Sequence, residues 1–273
     1  MKAPIGVFDS GIGGLSVLNA LQAALPNENF IYLADNGHAP YGERDTAHVL
    51  ARSRAVAQYL ARQKIRALVI ACNTATAAAI DLLRTQHPHL PIIGVEPALK
   101  PAVALSKTGR IGVMATRSTL TSARFQALLA AQASVAEFVL QPCDGLADAI
   151  ERGAHKSDAT EIIAACAINT GAMGLFGIEP GQIDTLVLGC THYPFVSDHL
   201  QALVGTDVRL VETGEAVARQ TQRLLQTAAG NISPATMDRG RIRLLATGDA
   251  HILKSAAAHW LALRAPVELV EIK

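Results

Sequence analysis

Missing from this sequence are a charge excess of one sign, a long apolar run, a metal-ligand spacing and a nucleotide loop. Each absence closes off a class of function. The formal charge is +1, from 24 Lys and Arg against 23 Asp and Glu, which gives no electrostatic case for nucleic acid or an anionic membrane as partner. No apolar run approaches the roughly 18 residues of a spanning helix. The opening MKAPIGVFDS enters a strand without a charged-then-apolar leader, so the expected location is cytoplasmic. Cys72, Cys143, Cys166 and Cys190 lie too far apart for a zinc pattern, and in a reducing compartment they are expected as free thiols. The turn DSGIGG has Ser16 where the dinucleotide-binding pattern needs its third glycine, and no GxxxxGK[ST] loop is present.

What is there is a chain of 273 residues, half of them apolar, long enough for one large core or two ordinary ones. Two stretches organise it: ALVIACNTATA at 67–77 and TLVLGCTHYPF at 185–195. Each is a short Leu/Val/Ile run, the signature of a strand covered on both faces, that ends in cysteine followed by polar residues. A cysteine where a strand gives way to a helix sits at the usual ligand crevice of an α/β sheet, and a helix N-terminus favours thiolate.

Along the chain, strands are expected at 5–8, 30–33, 67–71, near PIIGVEP, at 110–114, at 185–188, at 208–211 and at 242–245. Helices are expected after Gly14, over 45–64, after Thr76, from Pro194 to Leu203, over 212–226 and over 250–263, with a loop at 228–234. The run RIGVMAT at 110–116 echoes IGVFDS at 5–10, as the second cysteine strand echoes the first, and the paired echoes suggest duplication of one βα unit. The expected fold is α/β: two pseudo-symmetric, doubly wound lobes with largely parallel sheets and a site in the cleft between them. Residues 1–97 with 208–273 are assigned to the first lobe and 98–207 to the second.

Either cysteine alone reads most simply as a small buried apolar residue. Two in matching positions, one with His192 two residues on, point to acid–base chemistry on opposite faces of one carbon. A cysteine hydrolase would have no use for the second thiol. Cys166 lies in an apolar helical stretch and is assigned to the core. Asp9, at the end of the first strand, is either a helix cap or a group that keeps a thiol in its working state. The glycine turn after it serves either a tight strand-to-helix turn or the reception of an anion such as a carboxylate.

DSGIGGLSVL, PYG, VIACNTATA, VEPA, LVLGCTHYPF, TGEAVA and ATGD together resemble the cofactor-independent glutamate racemases of the aspartate/glutamate racemase superfamily. The resemblance implies interconversion of L- and D-glutamate without pyridoxal phosphate or metal, supplying D-glutamate for the cell wall. It implies catalytic thiols at Cys72, for the D enantiomer, and Cys190, for the L enantiomer, with Asp9 and His192 as helpers. Substrate contacts would fall on Asp9, Ser10, Tyr41, Gly42, Asn73, Thr74, Thr116, Thr191 and His192. A family glutamate falls on Glu151 in AIERG, although its lead-in QPCDGLADA departs from the family pattern, as does Asn36. The resemblance also implies a homo-oligomer, with a dimer favoured. The sister aspartate racemases usually carry glutamate where His192 stands, which favours glutamate as substrate. The reading from a different class, a two-lobed amino-acid sensor, leaves the paired thiols without a purpose.

Overall fold

The computed structural model describes residues 2–153, 159–228 and 239–273. Among them ten strands run in chain order: β1 (Ile5–Asp9), β2 (Phe30–Ala34), β3 (Ala67–Ile70), β4 (Ile92–Gly94), β5 (Arg110–Ala115), β6 (Glu137–Pro142), β7 (Thr185–Leu188), β8 (Arg209–Val211), β9 (Ile242–Ala246) and β10 (Val267–Leu269). They form two sheets, ordered β10-β9-β2-β1-β3-β4 and β6-β5-β7-β8, and every pairing of neighbours is parallel. The second sheet repeats the order of the four strands β2-β1-β3-β4 of the first. In this arrangement β5 corresponds to β1 and β7 to β3, which is the pairing of echoes seen in the sequence. In each sheet the chain winds outward in both directions from its founding strand, so a crevice opens beside β1 and β3 in one lobe and beside β5 and β7 in the other.

Alternation along the strands builds a core on each face of each sheet. Ile5, Val7, Ala67 and Val69 enter one cluster, while Phe8, Leu68 and Ile70 enter the cluster on the opposite face. In the second lobe, Met114, Leu186 and Leu188 point into one cluster and Ile111, Val113 and Val187 into the other. Each fully buried side chain of this kind contributes about 1.5–3 kcal/mol. The chain leaves the first lobe after β4, and the helix Leu99–Leu105 packs into the second. It returns through the helix Gly214–Ala228, which lies against the helix Leu15–Ala24.

Two details differ from the sequence reading. β8, expected with the first lobe as part of 208–273, pairs with β7 and completes the second sheet. Its short RLV run carries nothing that selects a sheet, and the crossover helix Ser197–Val204 delivers it beside β7. β10, which the sequence reading left out, pairs outside β9 and extends the first sheet. The loop expected over 228–234 lies, beyond residue 228, outside the described residues. No helix among the described residues is long and apolar enough to cross a membrane.

Candidate active site

Both cysteine motifs end at the same place in their sheets. Cys72 follows β3 and is the N-cap of the helix Asn73–Gln86, its Sγ accepting the Ala75 N–H at 3.4 Å. Cys190 follows β7 by one glycine, and the turn after it is closed by the Tyr193 N–H donating to the Cys190 carbonyl at 3.1 Å. All four cysteines are buried, the strand-end pair at 6 % and 7 % exposure against 2 % for Cys143 and 0 % for Cys166. Cys143 and Cys166 belong to the core of the second lobe.

A polar chain backs each sulfur. The Cys72 thiol points at Ser10 Oγ at 4.0 Å, and Ser10 donates to Asp9 Oδ1 at 3.4 Å. Cys190 Sγ lies 3.6 Å from His192 Nδ1, and His192 Nε2 lies 2.8 Å from Glu151 Oε1. Burial pushes the Cys72 thiol well above the usual thiol range, with the neighbouring Asp9 charge adding to it; the Ala75 N–H and Ser10 oppose the shift, and Cys190 is near enough to raise it further. Burial alone would lower the His192 pKa, but the bonds to Cys190 and Glu151 outweigh it and hold the imidazole well above its ordinary value. Asp9, fully buried, is raised by desolvation, against the opposing pull of His192.

Several contacts cross the cleft. Thr191 donates to Asp9 Oδ2 at 3.1 Å, and Ser16 donates to the Thr191 carbonyl at 2.8 Å. Thr74 and Thr116 share a hydrogen bond at 3.1 Å, and Thr116 donates to Thr119 at 2.9 Å. Gly42 presses on Thr116 so closely that a Cβ there would lie 2.7 Å from its Cγ2. The glycine turn does receive a carboxylate, and it is internal: the Ile12 N–H donates to Glu151 Oε1 at 2.8 Å. Gly11, Gly13 and Gly14 do not take positive φ, so their role is space and not a strained turn. A Cβ on Gly11 would overlap Glu151, and one on Gly13 would sit 2.4 Å from His192 Nδ1. Asp9 accepts the Gly11 N–H at 2.7 Å within the turn and also reaches Thr191, but the helix that follows has Gly14 at its N-cap and no side-chain cap, so Asp9 is not its cap.

The structure thus brings Asp9, Ser10, Gly42, Cys72, Asn73, Thr74, Thr116, Glu151, Cys190, Thr191 and His192 to one interlobe cleft. Tyr41 is a partial exception, since its hydroxyl turns away and donates to Asp35 at 2.5 Å. Asn73 donates to the Val95 carbonyl at 3.4 Å, and its buried Oδ1 finds no donor among the described residues. Two groups escaped sequence reasoning. Thr119 joins the hydroxyl cluster, and the fully buried Asp35 collects Tyr41, Arg52 and Thr247, thereby tying down the loop that carries Gly42. The ATGD motif was a usable signal for the second, since Thr247 is its threonine. A cavity of about 320 Å³, lined by Asn36, Pro40, Asp148, Glu151, Arg152 and Ile252 among others, opens onto Glu151. Among the described residues no three His, Cys, Asp or Glu side chains cluster as metal ligands.

Comparison with known proteins agrees with this geometry. The model of the Asp/Glu/Hydantoin racemase family matches residues 5–221, spanning both cysteine motifs. The chain is 50 % identical over 225 residues to a glutamate racemase of Ectopseudomonas mendocina, covering 82 % of each. Among solved structures it is similar to glutamate racemase isoform RacE1 of Bacillus anthracis, at TM-score 0.85 and 29 % identity, over 100 % of this chain and 99 % of that one. It is also similar to the Escherichia coli glutamate racemase in complex with L-glutamate and the activator UDP-MurNAc-Ala, at TM-score 0.83 and 28 % identity, over the whole of both chains. With two like lobes, a thiol at the same strand end of each, and a family match running through both, the chain belongs to the Asp/Glu/Hydantoin racemase family.

Proposed function

We propose that the protein interconverts L- and D-glutamate by a two-thiol mechanism without a cofactor, supplying D-glutamate for peptidoglycan. The observation that carries this reading is the pair of cysteines at equivalent strand ends of two facing lobes, each backed by its own polar chain. Held between them, the substrate exposes opposite faces of its Cα to the two sulfurs. One sulfur, as thiolate, removes the α-hydrogen as a proton, leaving a carbanion beside the carboxylate. The other, as thiol, delivers its proton to the opposite face, and the configuration inverts. His192 is placed to take and return the proton of Cys190, with Glu151 fixing the imidazole. Asp9 serves Cys72 through Ser10. Cys72 acts on the D enantiomer and Cys190 on the L enantiomer.

The difficult step is ionisation of a very weak carbon acid, and hydrogen bonds that strengthen as charge develops lower its barrier. The hydroxyls of Thr74, Thr116 and Thr191, the amide of Asn73 and the backbone at Tyr41 and Gly42 receive the two carboxylates. The enzyme is read as cytoplasmic and dimeric, with neither membrane nor nucleic acid as partner. The first lobe is read as 1–97 plus the chain after β8.

Reaction in heavy water tests the mechanism. The delivering thiol exchanges with solvent, so D-glutamate formed early from L-glutamate is expected to carry deuterium at Cα while recovered L-glutamate keeps protium. Proton NMR of the separated enantiomers at low conversion reads both. Deuterium entering recovered L-glutamate as fast as D-glutamate forms would rule out the opposed thiols.

A further inference from the structure

The sole tryptophan of the chain, Trp260, lies in the helix Ala250–Leu261 of the first lobe, yet its ring partner belongs to the second. Phe195 stacks on it with centroids 4.5 Å apart and planes 16° from parallel. His259 meets the indole edge-on at 4.4 Å. The indole N–H is buried without an acceptor among the described residues, so stacking and packing hold the ring in place and no hydrogen bond does. Phe195 packs against the core of each lobe, at the joint between them.

Phe195 also closes the catalytic turn. Its N–H donates to the His192 carbonyl at 3.1 Å, and the Tyr193 N–H donates to the Cys190 carbonyl, so the six residues from Cys190 to Phe195 are wound into one unit that includes His192. The other ties of this turn to the first lobe, Thr191 to Asp9 and Ser16 to the Thr191 carbonyl, lie on its cleft side. The stack is the tie beyond them, on apolar ground. We infer that Phe195 and Trp260 are positioning residues for the reaction: their interlobe stack sets where the Cys190–His192 turn stands relative to the first lobe, and so governs the proton transfer at Cys190. Neither ring touches the reacting atoms. The inference rests on the two-thiol racemase reading.

Kinetics can separate this from a general structural role. The two enantiomers have equal free energy, so kcat/KM must change equally in both directions whatever is mutated. Isotope effects are not bound in this way. With Cα-deuterated L-glutamate the effect on kcat/KM reports the Cys190 step, and with Cα-deuterated D-glutamate it reports the Cys72 step. Slowing only the Cys190 step raises the first and suppresses the second.

Trp260→Leu and Phe195→Leu are each expected to lower kcat/KM by about 3–10-fold, the scale of one lost aromatic pair. The isotope effect should rise with labelled L-glutamate and fall with labelled D-glutamate. Trp260→Phe, which keeps a stacking ring, should restore both toward wild type. In Phe195→Leu the emission of Trp260 should shift to the red, which checks the stack without activity. Isotope effects moving together, or unchanged, in variants with folded circular dichroism spectra would overturn the inference. So would Trp260→Phe behaving like Trp260→Leu. Absence of racemisation by the wild-type protein would instead overturn the functional reading, and the two failures are distinct.

Discussion

Glu151→Gln removes one charge from the site while keeping the shape of the side chain. Its Oε1 accepts the Ile12 N–H and faces His192 Nε2, both at 2.8 Å. The amide oxygen can keep the Ile12 bond, but the carboxylate that pairs with the imidazole is lost. A hydrogen bond to a charged group contributes about 1.5–3 kcal/mol, so kcat is expected to fall by about 10–100-fold. The stability effect has a defined pH dependence. The native pKa of His192 stands above its unfolded value, so the stabilisation is complete below about pH 6.5 and is lost as pH rises through the native value. Without Glu151 the imidazole loses one of its two supports and its native pKa drops. Urea unfolding of both proteins across a pH series should therefore show the largest loss of stability near pH 6, shrinking on the alkaline side. The alkaline limb of the kcat profile should move to lower pH. A variant with kcat within twofold of wild type, or a stability loss independent of pH, would refute the role given to the pair.

Cys72→Ala and Cys190→Ala should each abolish racemisation in a folded protein, whereas Cys143→Ala and Cys166→Ala keep turnover and lose stability by about 1 kcal/mol for the buried group removed. Circular dichroism with a turnover assay reads both, and full activity in either strand-end variant would end the two-thiol reading. Asp9→Asn should raise Tm at pH 7 while lowering kcat by at least about tenfold. The native carboxyl is raised by burial, so the folded state loses stability as pH climbs from about 3.9 through the native pKa, and a neutral amide escapes that loss. A lower Tm at neutral pH would show that Asp9 is held mainly by its hydrogen bonds.

Local pattern explains why most of the fold was legible. β1, β3, β5 and β7 are continuous apolar runs bounded by small or polar residues, and the helix Thr46–Arg62 begins at an Asp45 cap, its side chain accepting the His48 N–H at 2.7 Å. β8 and β10 are three residues each, too short to carry a period, and their places follow from crossover geometry. In the site, the cysteines were legible from their position at strand ends. Glu151 matched the family only by a short helical context, because its contact with Ile12 spans 139 residues of sequence. The Phe195–Trp260 stack left no trace in local pattern, since each ring reads as an ordinary apolar residue of its own helix.

The glycine turn gives the site an unusual sensitivity. Space at Gly11 and Gly13 is filled by atoms from the other lobe, the Glu151 carboxylate and the His192 ring. Part of the mould for the second half-site is therefore cut into the first lobe as missing methyl groups. Side chains that face a cleft can usually be trimmed with graded loss, but a mould tolerates no addition. One carbon added at Gly13 would press on the imidazole from a position 179 residues away in the chain, so an enlargement of the first lobe by a single methyl group is expected to displace His192 in the second. Change in the two halves of the chain is coupled through atoms that neither half contains.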